Sequence, residues 1–337
     1  MEGPLWTSTH APSIEELPQA EVREHCRTLL EEPMNAFVYG PRGAGKTAAV
    51  GALARAAHDD PENDFVVINV DDLFAMTKSE LEDDPRFGSF IDTTRRRTSS
   101  KADLVNHVLT EIASYPPVAG SYKTILLDDA GAMRQDFQQA LRRVMERYHE
   151  ATQFVLATRR PGAVIPPIRS RCYPVTVRAP TIEEIVGVLE TICEREGVDR
   201  TADGLEYVAG YADGNLRRAI LSAQTISVEA DAITMETAYE TLSAVETDDV
   251  AAEILQAAEE QRFQDARGLI DDQLIDEGYS GQELLGDLLG AARSRYTGDR
   301  LARVVELAAD VDLDLETGTN DRIHLAHFVA RLPAITG

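Results

Sequence analysis

Five short apolar runs rich in β-branched and aromatic residues punctuate the first half of the chain: Asn35–Tyr39, Phe65–Val70, Lys123–Leu127, Gln153–Ala157 and Tyr173–Val177. Each is too short for a stable helix and too continuously apolar for a strand with one wet face. They predict strands buried on both sides. Between them lie segments with apolar positions three and four apart, such as Thr47–His58 and Ala102–Ser114, which predict helices. This alternation implies an α/β domain, a five-stranded parallel sheet with helices on both faces. Residues 85–100 interrupt it with Gly, Ser, Thr and arginines and read as an exposed insertion.

After Val177 the strands stop. Thr181 followed by Glu184 forms a capping-box signature, and Ile182, Ile185, Val186, Leu189 and Ile192 then line one helix face. Short helices are expected to about residue 244. A second helical stretch follows from about 248, with apolar pairs at Leu269/Ile270, Leu284/Leu285 and Leu288/Leu289. The expected division is an α/β domain over 1–178, a helical domain over 179–245 and a C-terminal helical domain over 246–337. The first boundary is sharp and the second softer.

Chemistry concentrates where the first strand meets its helix. Gly40, Pro41, Arg42, Gly43, Ala44, Gly45, Lys46 and Thr47 match G-x-x-x-x-G-K-[ST]. Glycines there let the backbone curl so that N–H groups converge on a β-phosphate, beside the positive end of the helix dipole. Lys46 reaches the β- and γ-phosphates, and the Thr47 hydroxyl can ligate Mg²⁺. The motif points to ATP as ligand. The third strand runs into Asp128 and Asp129. A strand ending in two acids is by itself an ordinary turn. Paired with the phosphate loop, it makes Asp128 a candidate ligand of the same Mg²⁺.

Composition alters this picture little. Cys26, Cys172 and Cys193 are odd in number and widely spaced, which argues against a disulfide framework or zinc site and for a reducing cytoplasm. No apolar run is long enough for a bilayer, so no membrane partner is expected. His324 and His327 sit three apart, with no carboxylate or thiol pattern to make them a metal site.

The net charge is −25, from 58 acids against 33 bases. Only Lys46, Lys78, Lys101 and Lys123 are lysine, leaving 29 arginines. The acids are spread through periodic segments rather than gathered in a tail, which favours adaptation to molar salt, where the Debye length falls to about 3 Å. An acidic, partner-binding chain is the other reading. From residue 246 onward 8 bases face 20 acids, a net of −12.

Three further stretches carry a resemblance. Phe137–Glu146 (FQQALRRVME), Gln153-Phe-Val-Leu and Ile168-Arg-Ser-Arg171-Cys172 together resemble the small subunit of replication factor C, the archaeal and eukaryotic sliding-clamp loader, an AAA+ ATPase. Asp213-Gly-Asn-Leu-Arg217-Arg-Ala219 is similar to that family's second sensor motif, and Leu5-Trp6 with Pro12 to its N-terminal signature. The likeness covers about residues 5–225. Beyond it, the C-terminal third matches only as a helical block of suitable length.

The resemblance implies a lid over 179–245 and an oligomerisation collar over 246–337. It implies other clamp-loader subunits in a hetero-oligomeric ring, a PCNA-type sliding clamp and primer–template DNA as partners. Arg171 would be an arginine finger acting on a neighbour's ATP, and Arg217 would reach the γ-phosphate of its own chain. The basic run Arg95, Arg96, Arg97 and Lys101 would track a DNA backbone through phosphate contacts, or else balance the nearby acids Glu80, Glu82, Asp83 and Asp84.

The chain also departs from the family. Asp129 stands where a glutamate usually polarises the attacking water. Arg159 stands where an asparagine usually helps to position it. Ser8–Ala11 replaces charged and aromatic residues of the N-terminal signature. These departures leave ATP binding intact and predict slow hydrolysis. Two other readings remain open: a non-catalytic scaffold that keeps the fold, and a different DNA-associated AAA+ ATPase of the origin-binding or branch-migration type. The latter usually ends in a basic winged helix, whereas this C-terminus is helical and acidic.

Overall fold

The computed structural model describes residues 4–84, 87–91, 99–247, 250–275, 279, 281–318 and 320–336. The chain forms two compact units, Met1–Ala238 and Tyr239–Gly337. In the first, strands β1 (Ala36–Tyr39), β2 (Phe65–Asn69), β3 (Lys123–Asp128), β4 (Thr152–Thr158) and β5 (Tyr173–Thr176) pair in the order β2-β3-β4-β1-β5. Every pairing is parallel.

Alternation along the central strands divides their side chains between two cores. Ile125, Leu127, Phe154 and Leu156 join one cluster with residues of α3 (Lys101–Ser114) and α4 (Gln135–Tyr148). Leu126, Val155 and Ala157 join another with α1 (Ala20–Glu31) and α2 (Lys46–Ala57). With no wet face on the inner strands, the expected apolar runs follow. All strand C-terminal ends lie along one edge, the edge where doubly wound sheets bind ligands.

The expectation for residues 85–100 needs correction where the segment is described. Phe87 and Ile91 are 3 % and 4 % exposed and belong to the core under α3, so this part is not an exposed insertion. Arg95, Arg96 and Arg97 lie outside the described residues. Helix α3 begins behind a capping box of Ser100 and Asp103.

Beyond β5 come α5 (Ile182–Glu196), α6 (Ala202–Tyr211), α7 (Leu216–Glu229) and α8 (Met235–Thr247). Helix α5 starts at the anticipated Thr181–Glu184 capping box and stops at Gly197 with a left-handed backbone, φ 69°. The stretch is not wholly helical: Asp199–Arg200 pairs in parallel with Ala232–Ile233. Two-residue strands have no periodicity to announce them, and this pair closes across more than thirty residues. The boundary between the two units falls inside α8.

The second unit holds α9 (Val250–Glu259), α10 (Phe263–Ile275), α11 (Gly281–Arg295), α12 (Gly298–Thr317) and α13 (Asp321–Thr336). Ile254, Ile270, Leu284, Leu288, Val311 and Phe328 are among the residues of its single core. Arg295 with Glu259 and Arg322 with Asp271 tie helices together at its surface.

All four lysines donate hydrogen bonds to main-chain carbonyls. Lys46 bonds to Gly40 and Pro41, Lys78 to Ser99, Lys101 to Phe74, and Lys123 to Ile112 and Tyr115 at the end of α3. Burial pushes the Lys123 ammonium down to about 8, with Asp64 opposing.

Candidate nucleotide site

The site forms where β1 ends. Gly40 follows the strand directly, and a Cβ there would lie 1.8 Å from the carbonyl oxygen of Val177, so only glycine lets the loop leave the sheet beside β5. Gly43 has φ +67°, and a Cβ on it would meet Asn215 Oδ1 at 1.8 Å. Gly45, also left-handed at φ 97°, caps α2, whose first residues are Lys46 and Thr47. The glycines, Pro41, Arg42 and Ala44 thus form a loop whose crown is packed against another part of the chain.

Lys46 is 9 % exposed, and its Nζ donates to the carbonyls of Gly40 at 2.9 Å and Pro41 at 2.8 Å. Burial lowers its pKa, with Asp128 pulling the other way. The Thr47 hydroxyl donates to Asp128 Oδ2 at 2.8 Å, joining residues 81 apart in sequence. A hydroxyl and a carboxylate are hard oxygen donors of the kind Mg²⁺ takes, and both face the phosphate loop. The residues therefore fit a nucleotide-bound Mg²⁺.

One strand further, the chain does something its spacing did not show. Asp129 adopts a left-handed backbone, φ 52°, and its Oδ2 lies 3.7 Å from Arg159 Nη2, at the end of β4. The two departures from the family pattern therefore meet as an ion pair. Asp71, just beyond β2, joins the neighbourhood: burial raises its pKa, followed by repulsion from Asp129 and Asp72, with Arg160 and Arg159 opposing.

Arg171 lies on the surface after the short helix Pro166–Arg169. It donates to the Pro167 carbonyl at 2.6 Å and pairs with Glu146 of α4 at 2.9 Å. Arg142 also bonds Glu146 and is the leading reason that this carboxyl titrates below its usual range, with Arg171 adding to it. Arg217, in the first turn of α7, is exposed. Lys101 bonds the Phe74 carbonyl at 2.6 Å.

Sequence reasoning gave no role to Gln19, Arg178 or Asn215. Asn215 caps α7, accepting from the Arg218 N–H, and the neighbouring Leu216 N–H donates to the Gly43 carbonyl at 3.0 Å. Helix α7 thus begins on the phosphate loop itself. Arg178 clamps Glu184 with two bonds of 2.7 Å and Glu21 with one of 2.7 Å. A signal for Asn215 lay in the quoted Asp-Gly-Asn-Leu stretch. None existed for Gln19.

Residues 36–178 match the model for the ATPase family associated with various cellular activities (AAA), and the sheet order and phosphate loop agree with it. This is the AAA+ fold. It is a nucleotide-binding fold, here followed by a match to the RCF1/5-like AAA+ ATPase lid domain over 187–228 and to the replication factor C C-terminal domain over 246–331.

Nearly the whole AAA+ chain is similar to replication factor C small subunits. That of Archaeoglobus fulgidus is 29 % identical over 98 % of both chains, and that of Methanothermobacter thermautotrophicus 28 % identical over 98 % of both. The Halobacterium salinarum protein is 26 % identical over 86 % of this chain and 83 % of its own. Among solved structures, the Thermotoga maritima RuvB Holliday junction branch migration motor superposes with a TM-score of 0.53 at 15 % identity, covering 79 % of this chain and 86 % of that one. At that identity the likeness concerns the AAA+ fold alone. Among the described residues, no helix is long and apolar enough to cross a membrane.

Proposed function

We propose that this chain is a small subunit of a replication factor C-type clamp loader. In this reading it binds ATP and Mg²⁺ and helps to place a PCNA-type sliding clamp at primer–template junctions, within a hetero-oligomeric ring in the cytoplasm. The observation that carries the reading is the end-to-end likeness to archaeal small subunits, which includes the helical C-terminal third. A branch-migration motor shares the fold but not that likeness in sequence. Residues 1–178 would hold nucleotide, 179–245 act as lid and 246–337 as the collar that builds the ring.

Lys46 would leave the Gly40 and Pro41 carbonyls for the β- and γ-phosphates. Thr47 and Asp128 would hold Mg²⁺, whose charge offsets that of the phosphates. Arg217 would approach the γ-phosphate from the lid. Arg171 would exchange Glu146 for a neighbour's nucleotide. Lys101 and the preceding arginines would meet DNA phosphates. The Asp129–Arg159 pair supports a second, narrower reading, in which this subunit binds ATP but hydrolyses it slowly and serves chiefly as scaffold and finger donor. The acidic, lysine-poor composition supports adaptation to a saline cytoplasm.

Purification of tagged protein at molar KCl tests the main reading. Recovery of a large clamp-loader subunit and a sliding clamp is the expected result, and recovery of junction-processing partners instead would replace it. In the assembled complex, Arg171→Ala should lower ATPase by up to ~10³ while leaving this chain's own ATP affinity intact. Loss of ATP binding by the isolated variant would remove the role in trans.

A further inference from the structure

Gln19 stands immediately before α1, where a side chain usually caps the helix, yet it makes no capping bond. The residue is 1 % exposed, and its Nε2 donates to two carbonyls at 2.9 Å each: Ala44 in the phosphate loop and Arg178 after β5. Both amide hydrogens are therefore used, one on the loop that would hold phosphate and one on the segment that leads to α5. We propose that Gln19 is a positioning residue that fixes the crown of the phosphate loop and transmits its conformation to the helices after β5. The inference rests on the nucleotide reading given above and adds a residue that acts through the loop rather than on the ligand.

Three contacts make the arrangement a linkage rather than a local tie. At its far end, the Arg178 guanidinium grips Glu184, the capping-box residue of α5, and Glu21 of α1. From the other side, Leu216 at the start of α7 donates to Gly43, the residue before Ala44. Consecutive carbonyls of the phosphate loop are thus held by α7 and by Gln19, and Gln19 is joined through Arg178 to α5. A shift of the Gly43–Ala44 or the Ala44–Gly45 peptide, each of which would aim its N–H at a phosphate, cannot occur without disturbing one of these bonds. Glutamine suits the task because one terminal amide offers two donors in a plane. Leucine has similar bulk and no donor, and glutamate would set acceptors against two carbonyls.

The test uses the full chain in molar KCl with ATP and MgCl₂. ATP affinity and amide hydrogen exchange at the start of α7 are measured for wild type and Gln19→Leu. Wild type should bind ATP and slow exchange around Leu216 when it does. Gln19→Leu should bind ATP about tenfold more weakly and lose that response, while its melting temperature without nucleotide stays within a few degrees. Wild-type affinity with an intact α7 response overturns the proposal, even if the variant melts lower, because a merely structural role predicts that pattern. Should Gln19→Leu fail to fold, Gln19→Asn keeps the donors one methylene short and should show a partial loss of both readouts; unchanged readouts would again overturn the proposal. A wild type that binds no ATP defeats the nucleotide reading itself, an outcome distinct from failure of Gln19 alone.

Discussion

Two corners of one site follow different rules. At the first, Lys46, Thr47 and Asp128 fit what phosphate and Mg²⁺ require, and a bond of 2.8 Å already joins Thr47 to Asp128, the two residues that would hold the metal. At the second, Asp129 and Arg159 stand where the likeness to replication factor C leads one to expect glutamate and asparagine, and they face each other across 3.7 Å. Binding chemistry is held by a loop whose geometry tolerates few substitutions. Hydrolysis depends on where one water sits, and a chain in a ring can lose it while its neighbours continue. In the proposed reading the difference makes ATP occupancy and ATP turnover separable within a single pocket.

The largest expected effect breaks the first corner. Lys46→Ala removes a desolvated charge and should weaken ATP by about 10³-fold, in line with truncation of one member of a buried charged pair. The variant should keep the wild-type fold by circular dichroism, and equal affinities for ATP would undo the assignment of the loop.

The second corner should respond in the opposite direction. Asp129→Glu with Arg159→Asn restores both reach and a neutral amide, and should raise single-site turnover by about 10²-fold, the scale of a misplacement of roughly an ångström. Asp129→Glu alone should gain less, since Arg159 remains to hold the carboxylate. Wild-type hydrolysis already equal to that of the double variant would remove the contrast.

Much of the first corner was legible because phosphate binding demands fixed residue types at fixed spacing. The inner strands β1, β3 and β4 were legible because both faces are buried, so their apolar runs are continuous; the part-exposed edge strands β2 and β5 were legible from their β-branched and aromatic residues. The Asp129–Arg159 contact was not: each residue stood out singly, but nothing in linear order places the end of β3 opposite the end of β4. Gln19 was invisible for a similar reason, since its two carbonyl partners lie 25 and 159 residues away. The Asp199–Arg200 strand escaped because pairing, not composition, makes it a strand.

The smallest effects concern surroundings shared by both corners. Glu146→Gln removes a charged partner of Arg171 and should raise the ATPase of the assembled complex only about two- to fivefold, since an exposed ion pair holds its partners weakly. A fall in activity would mean that Glu146 aims the arginine rather than parks it. Dilution from molar to 0.1 M KCl lengthens the Debye screening from about 3 Å to about 10 Å and should lower the melting temperature by several degrees. A flat melting curve across that range would detach the acidic surface from salt adaptation.

The four lysines have a practical meaning for anyone labelling this protein. Each ammonium is spent on the chain's own carbonyls, and surface positive charge is left to arginine. An amine-directed reagent therefore meets two buried lysines, Lys46 and Lys123, whose adducts must await a local opening, and two half-buried ones, Lys78 and Lys101, whose carbonyl bonds slow it less. Four acylation rates would report, one by one, on the phosphate loop, the Lys78–Ser99 tie, the start of α3 and its end. The chain carries its own sparse set of reporters, and one of them sits where the nucleotide would bind.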